Sequence, residues 1–103
     1  MLAKSNQAPQ SETSELRQAA GLWLKEQREA AGLSQRELAR ILDLEYYTFI
    51  SQLENGRGRI PPHRYRDFAR ALKVDEKVFV KKLLMFYDPV SYEILFEGEA
   101  RAC

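Results

Sequence analysis

The sequence has little of what catalysis, metal binding or membrane insertion requires. Among its 103 residues there is one cysteine, the terminal Cys103, and one histidine, His63. These counts exclude an internal disulfide framework and leave no metal-ligand spacing. No apolar stretch is long enough to cross a bilayer, and the N-terminus lacks the apolar run of a secretory signal. We therefore expect a cytoplasmic protein that is not an enzyme and that binds no metal, cofactor or small molecule.

Net charge is also almost absent, at +1, but the charges are unevenly distributed. Six basic residues and one acid lie between Arg57 and Lys73, whereas four acids and no basic residue lie between Asp88 and Glu99. A charge run can be no more than a solvated surface. However, Arg57 and Arg59 directly follow a candidate recognition helix, which favours an electrostatic role toward a polyanion.

Apolar residues recur at helical spacing and never alternate as in a strand, which predicts an all-α fold. Residues 1–13 are polar and predict a disordered tail, followed by a helix that Ser14 caps. We expect a DNA-binding domain over residues 14–84 and a C-terminal extension, with a further short helix, over residues 85–103.

Two short helices separated by a turn form the part of the chain that predicts function. Ser34 and Glu37 make a capping box at the start of the first, and Ala39 is small enough to let the two helices cross steeply. The second helix is expected from about Tyr46 to Asn55. The side chains predicted to face the core are Tyr46, Ile50 and Leu53.

The opposite face of this second helix is polar and uncharged. It consists of Thr48, Ser51, Gln52 and Asn55. A merely solvated helix face usually carries Lys and Glu, whereas uncharged hydrogen-bonding side chains favour reading of bases in the major groove. Gln and Asn can bond N6 and N7 of adenine, and a threonine methyl can contact thymine. We predict base contacts from this face, with Tyr47 adding one from its flank.

Three segments together resemble the phage-repressor family of helix-turn-helix proteins, called Cro-like or Xre-like. They are REAAGLSQRELA at 28–39, ISQLENG at 50–56 and FARALKV at 68–74, within a resemblance that covers residues 21 to 84. The resemblance implies a five-helix lambda-repressor-like domain, here with one additional short helix, from a bacterium or phage. It also implies a homodimer that binds a pseudo-palindromic operator in double-stranded DNA and acts as a transcriptional regulator, most simply a repressor.

The resemblance assigns further roles by position. Gln35 matches a glutamine that bonds a DNA phosphate and braces the reading helix, and Arg57 and Arg59 match a basic loop on the DNA backbone. Arg28 and Glu54 match an ion pair that ties the first helix to the third, a structural role that bidentate geometry suits. The full set of predicted phosphate contacts is Gln35, Arg36, Arg57, Arg59 and Arg64.

Two features depart from the family pattern. Asp43 stands where the family has glycine, a mild change because Asp is among the few residues that tolerate a positive φ. Between Ala39 and Ile50 the chain has one residue more than the family. The first turn of the reading helix is therefore where DNA contacts are expected to differ.

The segment 85–97 has too many apolar residues for a free tail. It either completes the core or forms a two-fold dimer surface, and we favour the dimer surface. A narrower variant of the regulator is the antitoxin of a toxin–antitoxin pair, in which the same acidic, aromatic segment could bind the toxin as a protein partner. An alternative from another class is a protein-interaction module that has lost DNA reading, for which the extra turn residue is the best argument.

Overall fold

The first helix, α1, extends further toward the N-terminus than the sequence predicts. The computed structural model describes the backbone of residues 2–97 and the side chains of residues 12–97. Within it α1 spans Leu2–Ala30, so Ser14 lies inside the helix and does not cap it. The prediction that Ser14 caps this helix is therefore wrong. The segment just before Ser14 contains no glycine and continues into Glu, Leu, Gln and Ala, which are good helix formers.

Five further helices follow in the predicted order. They are α2 (Gln35–Ile41), α3 (Thr48–Glu54), α4 (Tyr65–Ala71), α5 (Glu76–Tyr87) and α6 (Pro89–Tyr92). A 3₁₀ turn, Pro62–Arg64, leads into α4, and a π-helical turn, Glu93–Glu97, follows α6. Residues 2–97 contain no strand, and the predicted all-α fold class is confirmed. None of these helices has both the length and the apolar character needed to cross a membrane. Cys103 lies outside the described residues.

Side-chain caps fix where three of the helices begin. The Ser34 hydroxyl accepts from the Glu37 N–H at 3.0 Å, and the Glu37 carboxylate accepts from the Ser34 N–H at 2.8 Å. The hydrogen bonds with Ser34 lower the pKa of Glu37 because they favour the charged carboxylate. The bond from the Ser34 backbone N–H has the largest effect. Asp75 caps α5 and Asp88 caps α6 in the same manner, with Pro89 in the first turn of α6.

Four helix ends close with the same backbone turn. The chain reverses at a residue with positive φ, and the next N–H bonds back to the last turn of the helix. These residues are Gly32, Asp43, Gly56 and Lys73. At α2 the Leu44 N–H donates to the Ala39 carbonyl at 2.8 Å, with Asp43 at φ 59°. Asp43 therefore adopts the left-handed conformation expected of a position where glycine is usual.

The core lies between α1, α2, α3, α4 and α5. Its largest fully buried side chains are Leu38, Ile50, Ile60, Phe68, Phe79 and Leu83. Trp23 of α1 covers one side of this core, with its ring centroid 5.5 Å from that of Phe79 and 6.2 Å from that of Phe86. Trp23 therefore anchors α1 against α5.

Gly21 marks a very close approach of α1 to the end of α3. A Cβ added there would lie 2.5 Å from the carbonyl oxygens of both Leu53 and Glu54. Both are backbone atoms and cannot turn aside. The contact brings α1 directly against the helix that is predicted to read DNA.

We expect Gly21→Ala to lower the free energy of unfolding by about 1–3 kcal/mol, because the methyl group would force the two helices apart. Helix propensity alone predicts the opposite sign, a gain of about 1 kcal/mol. Urea unfolding measures the difference. The control is Ala19→Gly, at an exposed position of the same helix, which should lose only about 1 kcal/mol. A stabilised Gly21→Ala protein would contradict the close contact.

Candidate nucleic-acid interface

The candidate reading helix, α3, is shorter than predicted. It begins at Thr48, and Tyr46 and Tyr47 belong to the preceding turn. The prediction that Tyr46 faces the core is wrong, since 67% of its surface is exposed. Helical periodicity does not apply to Tyr46, because the longer turn places this residue outside the helix.

The two faces of α3 differ as the sequence predicts. Ile50 and Leu53 are buried, with 0% and 4% of their surfaces exposed. Thr48 and Gln52 are exposed on the helix, Ser51 is half-buried, and the exposed Asn55 stands at its C-terminal end. The structure thus brings four predicted base-contacting residues together on one short polar surface.

A buried ion pair holds the end of α3 against α1. Arg28 Nε lies 2.6 Å from Glu54 Oε2, and Arg28 Nη2 lies 3.1 Å from Oε1. Only 9% of the Arg28 side chain and 4% of the Glu54 side chain are exposed. The hydrogen bond to Glu54 raises the pKa of Arg28 above its ordinary value, against a smaller lowering by burial. The predicted pair therefore forms with bidentate geometry.

Two further groups complete this arrangement. Gln35 Nε2 donates to Glu54 Oε1 at 2.9 Å, which joins the start of α2 to the end of α3. Arg28 Nη1 donates to the Leu33 carbonyl at 2.7 Å, in the turn between α1 and α2. One carboxylate thus connects three helices. Gln35 braces α3 as predicted, while its contact with a DNA phosphate stays a prediction.

Tyr47, predicted to contact a base, lies against an arginine that is predicted to contact phosphate. The Arg36 guanidinium stands 4.6 Å from the centre of the Tyr47 ring. A cation over an aromatic face is attracted by the ring quadrupole, so each side chain orients the other. The exposed surface before α3 therefore contains a tyrosine and an arginine in a fixed relation.

The loop after α3 contains the two arginines predicted to lie on the DNA backbone. Arg57 and Arg59 are both exposed. The Arg59 guanidinium lies 4.7 Å from the Tyr87 ring centre, and Arg17 lies 5.5 Å from it. The Tyr87 hydroxyl accepts from the Ile60 N–H at 3.1 Å. Burial raises the pKa of Tyr87, so the phenol stays neutral and holds the loop through a ring and a hydrogen bond.

Arg64, the last predicted phosphate contact, bonds to other groups of the protein. Its Nη1 donates to the Leu42 carbonyl at 2.8 Å, and the same atom lies 3.9 Å from Asp67 Oδ2. Carbonyls at a helix C-terminus lack intrahelical partners, and Arg64 supplies one to α2. Arg64 therefore caps α2, and because 28% of its side chain is exposed, its phosphate contact stays a prediction.

Sequence reasoning missed two parts of this surface. Arg40 is exposed on α2, one helical turn after Arg36. Arg17 Nη1 donates to the Gly58 carbonyl at 3.3 Å and packs with Arg59 around Tyr87. Arg40 could have been found from its spacing. The Arg17 contacts had no local signal, because they join residues 41 positions apart.

We expect Arg28→Met to lower the free energy of unfolding by about 3–5 kcal/mol, because it leaves the buried Glu54 carboxylate without its cation. The double variant with Glu54→Leu should lose less, and comparison of its loss with those of the two single variants gives the coupling energy. Thermal or urea unfolding of all three variants provides the values.

The matched control is Arg66→Ala, which breaks an exposed pair whose side chains are 69% and 40% exposed. It should cost under about 1 kcal/mol. Equal losses for Arg28→Met and Arg66→Ala would contradict a structural role for the buried pair.

The comparison with known proteins agrees with this geometry. No curated protein matches the sequence. The family described as helix-turn-helix domain matches residues 15–78, which is more than half of the chain. The match includes α2, α3 and the loop that contains Arg57 and Arg59. The chain belongs to the helix-turn-helix domain family.

Proposed function

We propose that this protein is a sequence-specific transcriptional regulator, most simply a repressor, that binds a pseudo-palindromic operator in double-stranded DNA as a homodimer. The observation that carries the proposal is the exposed uncharged face of α3. Thr48 and Gln52 are exposed on a helix whose opposite side, Ile50 and Leu53, is buried. A short helix fixed in this way fits the width of the major groove.

The charges around α3 support contact with phosphates. Arg36 and Arg40 are exposed before the helix, and Arg57 and Arg59 are exposed after it. Cations on both sides of a reading helix suit the two phosphate strands that border a major groove. Contacts of this kind provide affinity and fix the register, while α3 provides the specificity.

The C-terminal segment supports the homodimer. Val90, Ile94 and Leu95 are 67%, 64% and 50% exposed, so the option that they complete the core is not supported. The segment begins beside the basic loop. Hydrogen bonds with Ser91 lower the pKa of Asp88, and the positive charge of Arg59 adds a smaller lowering. A two-fold contact here would bring two basic loops, and hence two reading helices, near one axis.

Within the helix-turn-helix family we assign the chain to the phage-repressor type. The assignment is supported by the buried pair of Arg28 with Glu54 and by the bond from Gln35 to Glu54, which match positions of that type. The extra residue before α3 sets this protein apart. Its base contacts near Tyr46 and Tyr47 are expected to differ from those of its relatives.

Retention of genomic fragments by the purified protein tests the proposal. The regulator should select a defined set of fragments that share a two-fold symmetric site. Its affinity should fall by orders of magnitude between low and moderate salt, because bound phosphates release counterions. If no fragment is retained at low salt, the regulator and its antitoxin-type variant are both ruled out, and the protein-interaction module that has lost DNA reading becomes the better assignment.

We expect Gln52→Ala to cost about 1–3 kcal/mol of binding free energy at one base pair and to relax the preference there. The reason is the loss of a bidentate contact to a base edge. Competition with operators that carry each single substitution measures the change.

Arg57→Ala is the matched comparison, since it removes an exposed cation next to the same helix. It should weaken binding to all sequences alike and reduce the salt slope by about one. Identical specificity profiles for the two variants would show that the roles of Gln52 and Arg57 have been assigned wrongly.

A further inference from the structure

A groove of about 940 Å³ lies on the side of the molecule formed by the 3₁₀ turn, α4, α5 and the π-helical turn. Its apolar lining includes Tyr65, Val80 and Leu84. A groove with this lining suits an apolar segment of a protein better than a polar small molecule.

The edges of the groove are basic. Arg66, Lys77 and Lys81 line it, and Glu76 is the only acid among its lining residues. That carboxylate is paired with Arg66 at 3.1 Å and with Arg70 at 3.1 Å, so Lys77 and Lys81 are the charges that give the groove its basic character. The groove therefore favours an occupant that is both apolar and acidic.

Residues 88–97 of the same chain have this character. Val90, Ile94 and Leu95 are at least half exposed. Asp88, Glu93 and Glu97 accompany them, with no basic residue in the segment. The segment is thus complementary to the groove in both charge and apolar surface.

The segment does not fill the groove of its own chain. Phe96 alone of residues 88–97 lines the groove, where its ring lies 5.2 Å from Tyr92 and 4.7 Å from Lys81 Nζ. Val90, Ile94 and Leu95 stay exposed beside it. An exposed apolar surface next to a complementary groove is the arrangement that a two-fold contact between copies requires.

We propose that the groove takes residues 88–97 of a second copy of this chain, reciprocally, so that each copy donates its acidic segment to the other. This rests on the homodimer of the proposed function and names the two surfaces that form it. The reciprocal contact uses both surfaces twice and closes on itself, so it gives a dimer and no larger assembly.

Charge exchange between the two surfaces tests this pairing. One variant carries Lys77→Glu and Lys81→Glu, which makes the groove acidic, and the other carries Glu93→Lys and Glu97→Lys, which makes the segment basic. Each should dissociate to monomers, with the dimer Kd raised at least about tenfold by like charges at both contacts. Mixed in equal amounts, they should form a heterodimer, because both of its contacts join opposite charges.

Sedimentation over a concentration series, with one variant labelled, measures these masses. Lys25→Glu changes an exposed lysine on α1, outside the groove, and should leave the dimer intact. Ile94→Ser removes apolar surface without a change of charge and should also weaken the dimer. Far-UV circular dichroism checks that each variant is folded.

Three outcomes would overturn the inference. They are a wild-type protein that is monomeric at every concentration, charge variants that remain homodimers, and a mixture that does not associate. Retention of genomic DNA by the wild type is measured alongside. A monomer that retains DNA removes the docking contact and the homodimer but leaves DNA binding, whereas a dimer that retains none removes the regulator but leaves the docking contact.

Discussion

The Glu54 carboxylate is the point on which the interface depends. It accepts from Arg28 of α1 and from Gln35 of α2 while it belongs to α3 itself. Gly21 lets α1 come close enough for this, since any side chain there would meet the backbone of Leu53 and Glu54. A buried charge is tolerated because its lone pairs are satisfied, and every buried side-chain polar atom of the described residues has a partner. The end of the reading helix is therefore fixed on two sides.

This fixation is needed because α3 is too short to be stable alone. It spans seven residues, whereas isolated helices below about 12–15 residues are marginal in water. No side chain caps its start, where Tyr47 stands. The helix persists because Ile50 and Leu53 are buried and because Glu54 is bound. In the proposed regulator, recognition and stability are therefore coupled: a substitution in the core behind α3 would disturb the exposed face of this helix even though it touches no DNA.

Much of the architecture could be predicted from the sequence, because its signals are local. The capping box at Ser34, the left-handed Asp43 and the alternation of buried and polar positions on α3 each depend on residues a few positions apart. The features that the sequence does not reveal depend on distant contacts. The Arg64 guanidinium donates to the Leu42 carbonyl, and the Tyr87 hydroxyl accepts from the Ile60 N–H. A local sequence pattern can show neither contact. The core position predicted for Tyr46 is wrong for a different reason, since helical spacing does not extend across a lengthened turn.

The repeated turn that closes α1, α2, α3 and α4 has a consequence for the thermodynamics of association. The turn at Asp43 closes α2, and the shared core of Leu38, Ile50 and Leu53 holds α2 and α3 in a preset orientation before any ligand arrives. Ordering on contact with DNA then falls mainly on long side chains such as Gln52 and Arg57. The heat-capacity change of association should accordingly reflect the surface removed from water, without the large extra decrease that accompanies folding coupled to binding.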